Sequence, residues 1–430
     1  RRLTAMTDTV AAAPDSGRSL WKALGPGILF AGAAIGVSHL VQSTRAGASH
    51  GLALIGFVLL ANAVKYPAFR FGPQYSAATG TSLLEGYRKR GKVALSLYLL
   101  VTLGTMLTVQ AAVALVTAAI FLALTGIGLG PVVMVAILLA FCIGLLAVGQ
   151  YRWLDAVTKV AVGTFTVATL IATAVALPRV SGPFVPDFGT FTTADVLFLA
   201  GLVGWMPSAI DISVWQSLWT LARARQTGDR PTVRGAVFDF HVGYFGTVVL
   251  ALCFLVLGAA VMRGVDLGNA PAAAVGTQLV SLYAETLGEW TRPLIGASAF
   301  LVMFSTTFTV VDGFPRALAV LADRFRGPEV PEEATGEGDR RVYWGGTAVL
   351  FGGSLLVLHF ALSSLGAMVD LATTLSFLTA PLLSLLNHRA MLGAEVPPEG
   401  RPSAALRWAS WGGIVAQSAF AVYYLALRFG

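Results

Sequence analysis

The sequence predicts an all-α integral membrane protein of about eleven transmembrane helices, built as a five-plus-five inverted repeat with its first and sixth helices broken. Three observations carry this. Of the 430 residues 56% are hydrophobic and only 12% charged, with a mean hydropathy of +0.74, whereas a soluble chain of this length carries about a quarter charged residues. Apolar runs of about 20 residues, the length that crosses a bilayer, recur along the whole chain. Two of them, at corresponding places in the two halves, are interrupted at their middles by Gly, Pro and polar residues.

In order, the runs fall at Leu24 to Gln42, Gly51 to Phe71, Ala94 to Leu124, Pro131 to Val148, Leu154 to Leu177, Ala194 to Leu221, Phe238 to Val261, Pro293 to Leu321, Val342 to Phe360, Leu365 to Leu386 and Ala404 to Leu427. The residues before Met6 read as an expression-derived remnant, and Thr7 to Arg18 as a disordered polar tail, so the tail is assigned to 1–20. A single transmembrane domain then covers 21–430: repeat one about 21–178, repeat two about 190–390 and an extra helix about 404–428. No cleavable signal peptide is expected, since no short apolar stretch precedes the first span. The polar stretch Asp323 to Arg341, expected in the cytoplasm, and the loop Arg263 to Arg292, expected outside, are too short to be domains, and "PEVPEEATGEGDRR" reads as a solvated linker. Cys142 and Cys253 lie inside apolar runs and carry no redox information.

The net charge of +7 is topological. Lys and Arg concentrate in "GYRKRGK", at Arg152, in "RARQTGDRPTVR", from Arg324 to Arg341 and around the last spans, while only five fall on the other side. That is the positive-inside pattern, with the N-terminus cytoplasmic, the C-terminus outside and the chain in a cell (inner) membrane. It leaves the lipid bilayer as partner and excludes nucleic acid. No nucleophile–base constellation, Walker loop or metal-hydrolase motif is present, so neither an enzyme nor a cofactor is expected.

The first run, "LGPGILFAGAAIGVSHLVQ", carries Ser38 and His39 at its middle, and the sixth, "ADVLFLAGLVGWMPSAIDISVWQSLW", carries Gly204, Pro207, Ser208 and Asp211. Broken helices at matching positions point to a midplane cavity lined by backbone groups and a few side chains; the alternative is a packed, kinked helix pair. Asp211, with Trp205 before it and Trp215 and Trp219 after it, could hold an organic cation by charge and cation–π attraction. Ser208 to Asp211 is also S-x-x-D, a capping box, which would make Asp211 a helix cap instead. His39 is either a proton carrier or a hydrogen-bonded packing residue. Lys65, Arg70, Lys159, Asp239, His241, Asp312, Arg316, His359 and Asp370 are further ionisable residues at depth, expected to face the interior and pair, Asp312 with Arg316 one turn on.

The stretch "LGPGILFAGAAIGVSHLVQSTRAGASHGLALIGFVLLAN" resembles the first two helices of the Nramp family of divalent-metal transporters, in which a GPG opening precedes a DPGN break. "MPS" stands where the family has MPH, and "STTFTVVDGF" and the helix count extend the likeness over the chain. The resemblance implies a LeuT-type fold and alternating access. Laid on the DPGN motif, "GVSH" puts Gly36 at the metal-binding aspartate and His39 at the asparagine. Met206 matches the metal-binding methionine, a ligating backbone carbonyl falls near Val203, the two histidines fall on Ser208 and Ser213, and the glutamine of helix ten falls on Thr374. No acidic residue stands in the third span.

Losing the only carboxylate leaves a dication's desolvation cost unmet, because hard cations require several oxygens. The expected site is therefore a substrate-binding set of Gly36, Ser38, His39, Val203, Trp205, Met206, Ser208, Asp211 and Thr374, moving a small polar or charged organic solute with H+ or Na+ as coupling ion. The alternatives are a transition-metal site on His39 and Met206 and a non-transporting membrane sensor or scaffold.

Overall fold

A computed structural model describes residues 25–148, 152–180, 184–189, 191–265, 272–328, 338–361 and 365–429. The tail expected over 1–20 and most of the acidic linker lie outside these. Among the described residues the chain is helical, without strands: α1 (Pro26–Ala34), a π-helical turn (Ser38–Ser43) leading into α2 (Thr44–His50), α3 (Ile55–Thr79), α4 (Leu83–Lys89), α5 (Lys92–Thr125), α6 (Pro131–Val148), α7 (Arg152–Ala176), α8 (Thr193–Gly204), α9 (Ile212–Thr227), α10 (Val233–Val261), α11 (Ala272–Leu287), α12 (Arg292–Arg326), α13 (Arg340–Ala361), α14 (Leu365–Met391) and α15 (Ala404–Phe429).

Seven of the described helices are long and apolar enough to cross a membrane, and α1 with the segment Ser38–His50 makes an eighth, bent by 46° at its break. The remaining spans of the expected eleven correspond to α3, α15 and the pair α8 and α9. With 25 residues, α3 reaches about 37 Å at 1.5 Å per residue. Its apolarity is diluted by Asn62, Lys65 and Gln74, all buried against protein, which is how polar residues are tolerated at this depth.

Two expectations need correction. The first span does not end at Gln42 but continues to His50, because the chain resumes a helix after its break. The stretch Arg263 to Arg292 is not a plain loop: α11 lies in it and turns Val275, Leu279, Leu282 and Tyr283 inward, a helical spacing that was legible in the sequence.

The helices pack as two groups. In one, α10 runs beside the entire first span, with α3 on α10 and α9 on α3. A Cβ at Gly27 or Gly243 would run into the facing backbone of the other helix, and the same holds for Gly47 against Leu255 and Gly258 against Thr44. Small residues thus allow the close approach that stabilises helix pairs in lipid. In the other group α5 is flanked by α6, α11, α12 and α13, with α7 packed between α12 and α10 of the first group; Thr117 of α5 donates to Met303 O at 3.1 Å and meets Thr307 Oγ1 at 2.7 Å. The α14 helix touches both groups through α5, α3 and α8. Outside the spans, Arg326 donates to Asp339 at 2.6 Å and holds that carboxyl below its ordinary range, tying the end of α12 to the start of α13.

Candidate functional site

The first break is anchored at both ends. Gly25 N–H and Gly27 N–H donate to the two carboxylate oxygens of Asp239, at 2.8 and 2.5 Å. The α10 helix thereby caps the N-terminus of α1, where a negative charge meets the positive end of the helix dipole. Helical geometry stops at Ala34. A side chain at Gly36 would meet the Thr306 methyl, and Thr306 donates to Gly32 O at 3.0 Å.

Beyond the break, Ser38 Oγ lies 2.9 Å from Ala34 O, 3.0 Å from Pro207 O and 2.7 Å from His39 Nδ1. The other ring nitrogen of His39 lies 3.0 Å from Thr247 O on α10. Both nitrogens are therefore engaged inside the protein, and His39 is fully buried. That geometry matches the packing reading and leaves neither nitrogen free for a metal.

The second break runs from Trp205 to Asp211, with a cis peptide bond between Met206 and Pro207. It falls where Gly, Pro and polar residues placed it. Ending α8 at Gly204 releases carbonyls, and the Nζ of Lys65 from α3 donates to Val203 O and Gly204 O, each at 2.6 Å. The expected backbone cation ligand at Val203 is thus taken by the protein's own ammonium group, which is fully buried. Sequence reasoning placed Lys65 at depth but did not assign it this partner.

Trp205 donates from Nε1 to Ser376 Oγ at 2.7 Å, pinning the break to α14. Met206 is fully buried in an apolar cluster with Ala46, Leu199, Leu202 and Leu255. Ser208 is buried at the break, 9% exposed. On α14, Thr373 faces Gly201 and Gly204 and lies 3.5 Å from Gln42 Nε2, and its neighbour Thr374 is half-buried. Among the described residues no group of three His, Cys, Asp or Glu is placed to hold a metal ion.

Asp211 does not form the capping box with Ser208. It is itself the N-cap of α9, in helical geometry and with no side-chain cap hydrogen bond; the capping box that does form joins Thr192 and Asp195 at the start of α8. Asp211 is 2% exposed and its Oδ1 has no partner. Tyr98 and Tyr87 lie beside it, and Trp215 and Thr102 lie beside Tyr98. Trp215 packs edge-on against Phe314, 4.9 Å between centroids, and against Trp219 at 6.3 Å.

Polar contacts close both flanks. Arg45 binds Asp370 through both guanidinium nitrogens, at 2.6 and 3.1 Å, and donates to Gln42 Oε1 at 2.8 Å; His50 meets Asp195 at 2.9 Å. On the opposite flank Asn387 donates to Ser213 Oγ at 2.7 Å and Ala68 O at 2.9 Å and accepts from Tyr87. Arg45, Gln42 and Asn387 were not singled out from the sequence. Asp312 and Arg316 pair as expected, at 2.8 and 2.9 Å. Arg70 donates to Tyr66, whose hydroxyl lies 2.6 Å from His241. Lys159 and His359 depart from expectation: both are exposed on helix surfaces.

The fold has relatives. The chain superposes on the Eremococcus coleocola manganese transporter with a TM-score of 0.68 at 14% identity, over 99% of this chain and 92% of that one. It superposes on MhsT, solved with L-phenylalanine, with a TM-score of 0.62 at 13% identity, over 94% and 98% of the two chains. For Mhp1, a nucleobase-cation-symport-1 family transporter, the values are 0.54 and 16%, over 94% and 92%. These set the architecture as the LeuT-type transporter fold. In sequence, an uncharacterized protein of Pasteurella multocida (strain Pm70) is 33% identical over 440 residues, 100% of this chain and 97% of its own. The family model described as Natural resistance-associated macrophage protein-like matches residues 27–427. With the break geometry described above, this match over nearly the whole chain makes the protein a multi-pass membrane transporter of the Nramp family, not an enzyme.

Proposed function

We propose that this Nramp-family secondary transporter moves a small polar or charged organic solute and not a divalent metal ion. One observation carries the reading: Lys65 Nζ sits 2.6 Å from Val203 O and Gly204 O, where the family resemblance places a ligating carbonyl. A cation there would have to displace the Lys65 amine from both carbonyl oxygens, and position 36, which would supply the compensating carboxylate, is Gly. The His39 and Met206 alternative is weakened by the two engaged ring nitrogens and by the apolar surroundings of the thioether. A similar fold holding L-phenylalanine in MhsT supports an organic substrate. The charge pattern supports a cytoplasmic N-terminus in an inner membrane, and an H+ or Na+ gradient is the proposed driving force.

Purified protein in proteoliposomes tests this. Uptake of one or more members of a radiolabelled amino-acid and amine panel, with no Mn²⁺ entry, is the expected result. Mn²⁺ entry that is lost in Met206→Ala, without uptake of any organic compound, overturns it.

A further inference from the structure

We propose that Asp211, Tyr98, Thr102 and Trp215 form a binding subsite for the cationic nitrogen of a small amine that also carries an oxygen acceptor, an amino acid or amino alcohol in class. The proposal rests on the organic-solute reading and names the substrate class.

Four polar atoms on two helices are involved: Asp211 Oδ1 and Trp215 Nε1 on α9, and Tyr98 OH and Thr102 Oγ1 on α5. Their residues are 2%, 2%, 0% and 0% exposed; Thr102 and Trp215 lie within hydrogen-bonding reach of the Tyr98 hydroxyl, and Asp211 Oδ1 has no hydrogen-bond partner. Buried polar groups are nearly always satisfied, so an unpartnered carboxylate oxygen beside a cluster of polar side chains calls for an occupant.

Their chemistry describes it. A carboxylate only accepts, so the occupant brings N–H donors or a positive charge; the Tyr98 and Thr102 hydroxyls can each donate or accept, so an oxygen acceptor on the occupant is met there. Aromatic residues lie near the carboxylate: Tyr87 and Tyr98 are its neighbours, with centroids 5.6 Å apart, and Trp215 is braced by Phe314. Such rings attract an ammonium group. Gly313 faces the Trp215 ring so closely that no side chain fits between them. The α9 and α5 helices belong to different packed groups, so the subsite lies where relative movement of the two groups would open or close it.

The test is calorimetric titration of the full-length protein in detergent with glycine, ethanolamine, ethylammonium, propionate, ethylene glycol and Mn²⁺. Glycine or ethanolamine should bind, more tightly than ethylammonium. Asp211→Asn, eluting as a monodisperse species, should weaken that binding about tenfold or more, the loss expected for a charge-assisted hydrogen bond. Tyr98→Phe, which keeps the ring, should weaken it less. No binding by any amine, or amine binding unchanged in both variants, overturns the proposal and leaves the unpartnered oxygen to an enclosed water. Propionate or ethylene glycol binding without any amine overturns the subsite and leaves the organic-solute reading standing. Mn²⁺ binding alone overturns both.

Discussion

The Ser38 hydroxyl reaches the Pro207 carbonyl at 3.0 Å, a bond between residues 169 positions apart that ties the break of the first span to the break of the sixth. Its single proton is shared among this carbonyl, Ala34 O and the His39 ring. Ser38→Ala removes the hydroxyl from all three and leaves buried polar atoms behind. The expected cost is about 1–3 kcal/mol, read as a lowered thermal unfolding midpoint in detergent; an unchanged midpoint counts against the bond.

Lys65→Ala should be more damaging, because two carbonyls lose an ammonium donor and a cavity is left along α3. About 2–5 kcal/mol is expected from orphaned groups and lost packing together. Propylammonium, which restores the missing charged arm, should raise the midpoint of the Ala variant with dose and leave the wild type unmoved. Equal effects on both proteins would show that the Lys65 charge is not what the carbonyls require.

The Arg45 and Asp370 side chains are 10% and 40% exposed, so solvent screens their pairing. A double-mutant cycle of Arg45→Ala and Asp370→Ala should give a coupling of about 0.5–1 kcal/mol that shrinks with added salt. The charge-reversed pair, Arg45→Asp with Asp370→Arg, should regain part of it. A coupling of zero at low salt would separate the two helices energetically.

Asp239 uses both carboxylate oxygens, one for Gly25 N–H and one for Gly27 N–H. Asp239→Asn retains one acceptor and loses the charge, so about 1–2 kcal/mol should be lost. Asp239→Ala should lose more. Equal midpoints for the two variants would mean that the amide oxygen caps nothing.

Much of this architecture is readable in the residues themselves. The runs "AIGVSH" and "GWMPSAID" place Gly and Pro where a continuous helix is costly, and the chain breaks there. Asp312 and Arg316 pair because four residues make one turn. Partners set by the packing of distant helices were not readable. Lys65 and Val203 are 138 residues apart, and nothing local in "ANAVKYPAF" says that its ammonium will meet two released carbonyls. The S-x-x-D pattern misled for a local reason: α9 begins at Ile212, so Asp211 occupies the cap position and Ser208 lies outside the helix. Lys159 and His359 show the limit of reading depth from an apolar run: length locates a residue along a helix but not around it.

The continuous α10 helix has a mechanical consequence. It holds α1 at Asp239 and Gly243, the break at Thr247, and α2 at Leu255 and Gly258, so it works as a splint across a fractured neighbour. Bending the first span at its break would strip those contacts from one side or the other, and the two fragments should tilt together with the splint as a single lever. The sixth span is bridged by two helices instead: α3 holds the end of α8 at Lys65 and packs along α9, and α14 packs on α8 and reaches Ser213 of α9 through Asn387. Disulfide cross-links tying α1 to α10 are therefore expected to leave that lever free to move.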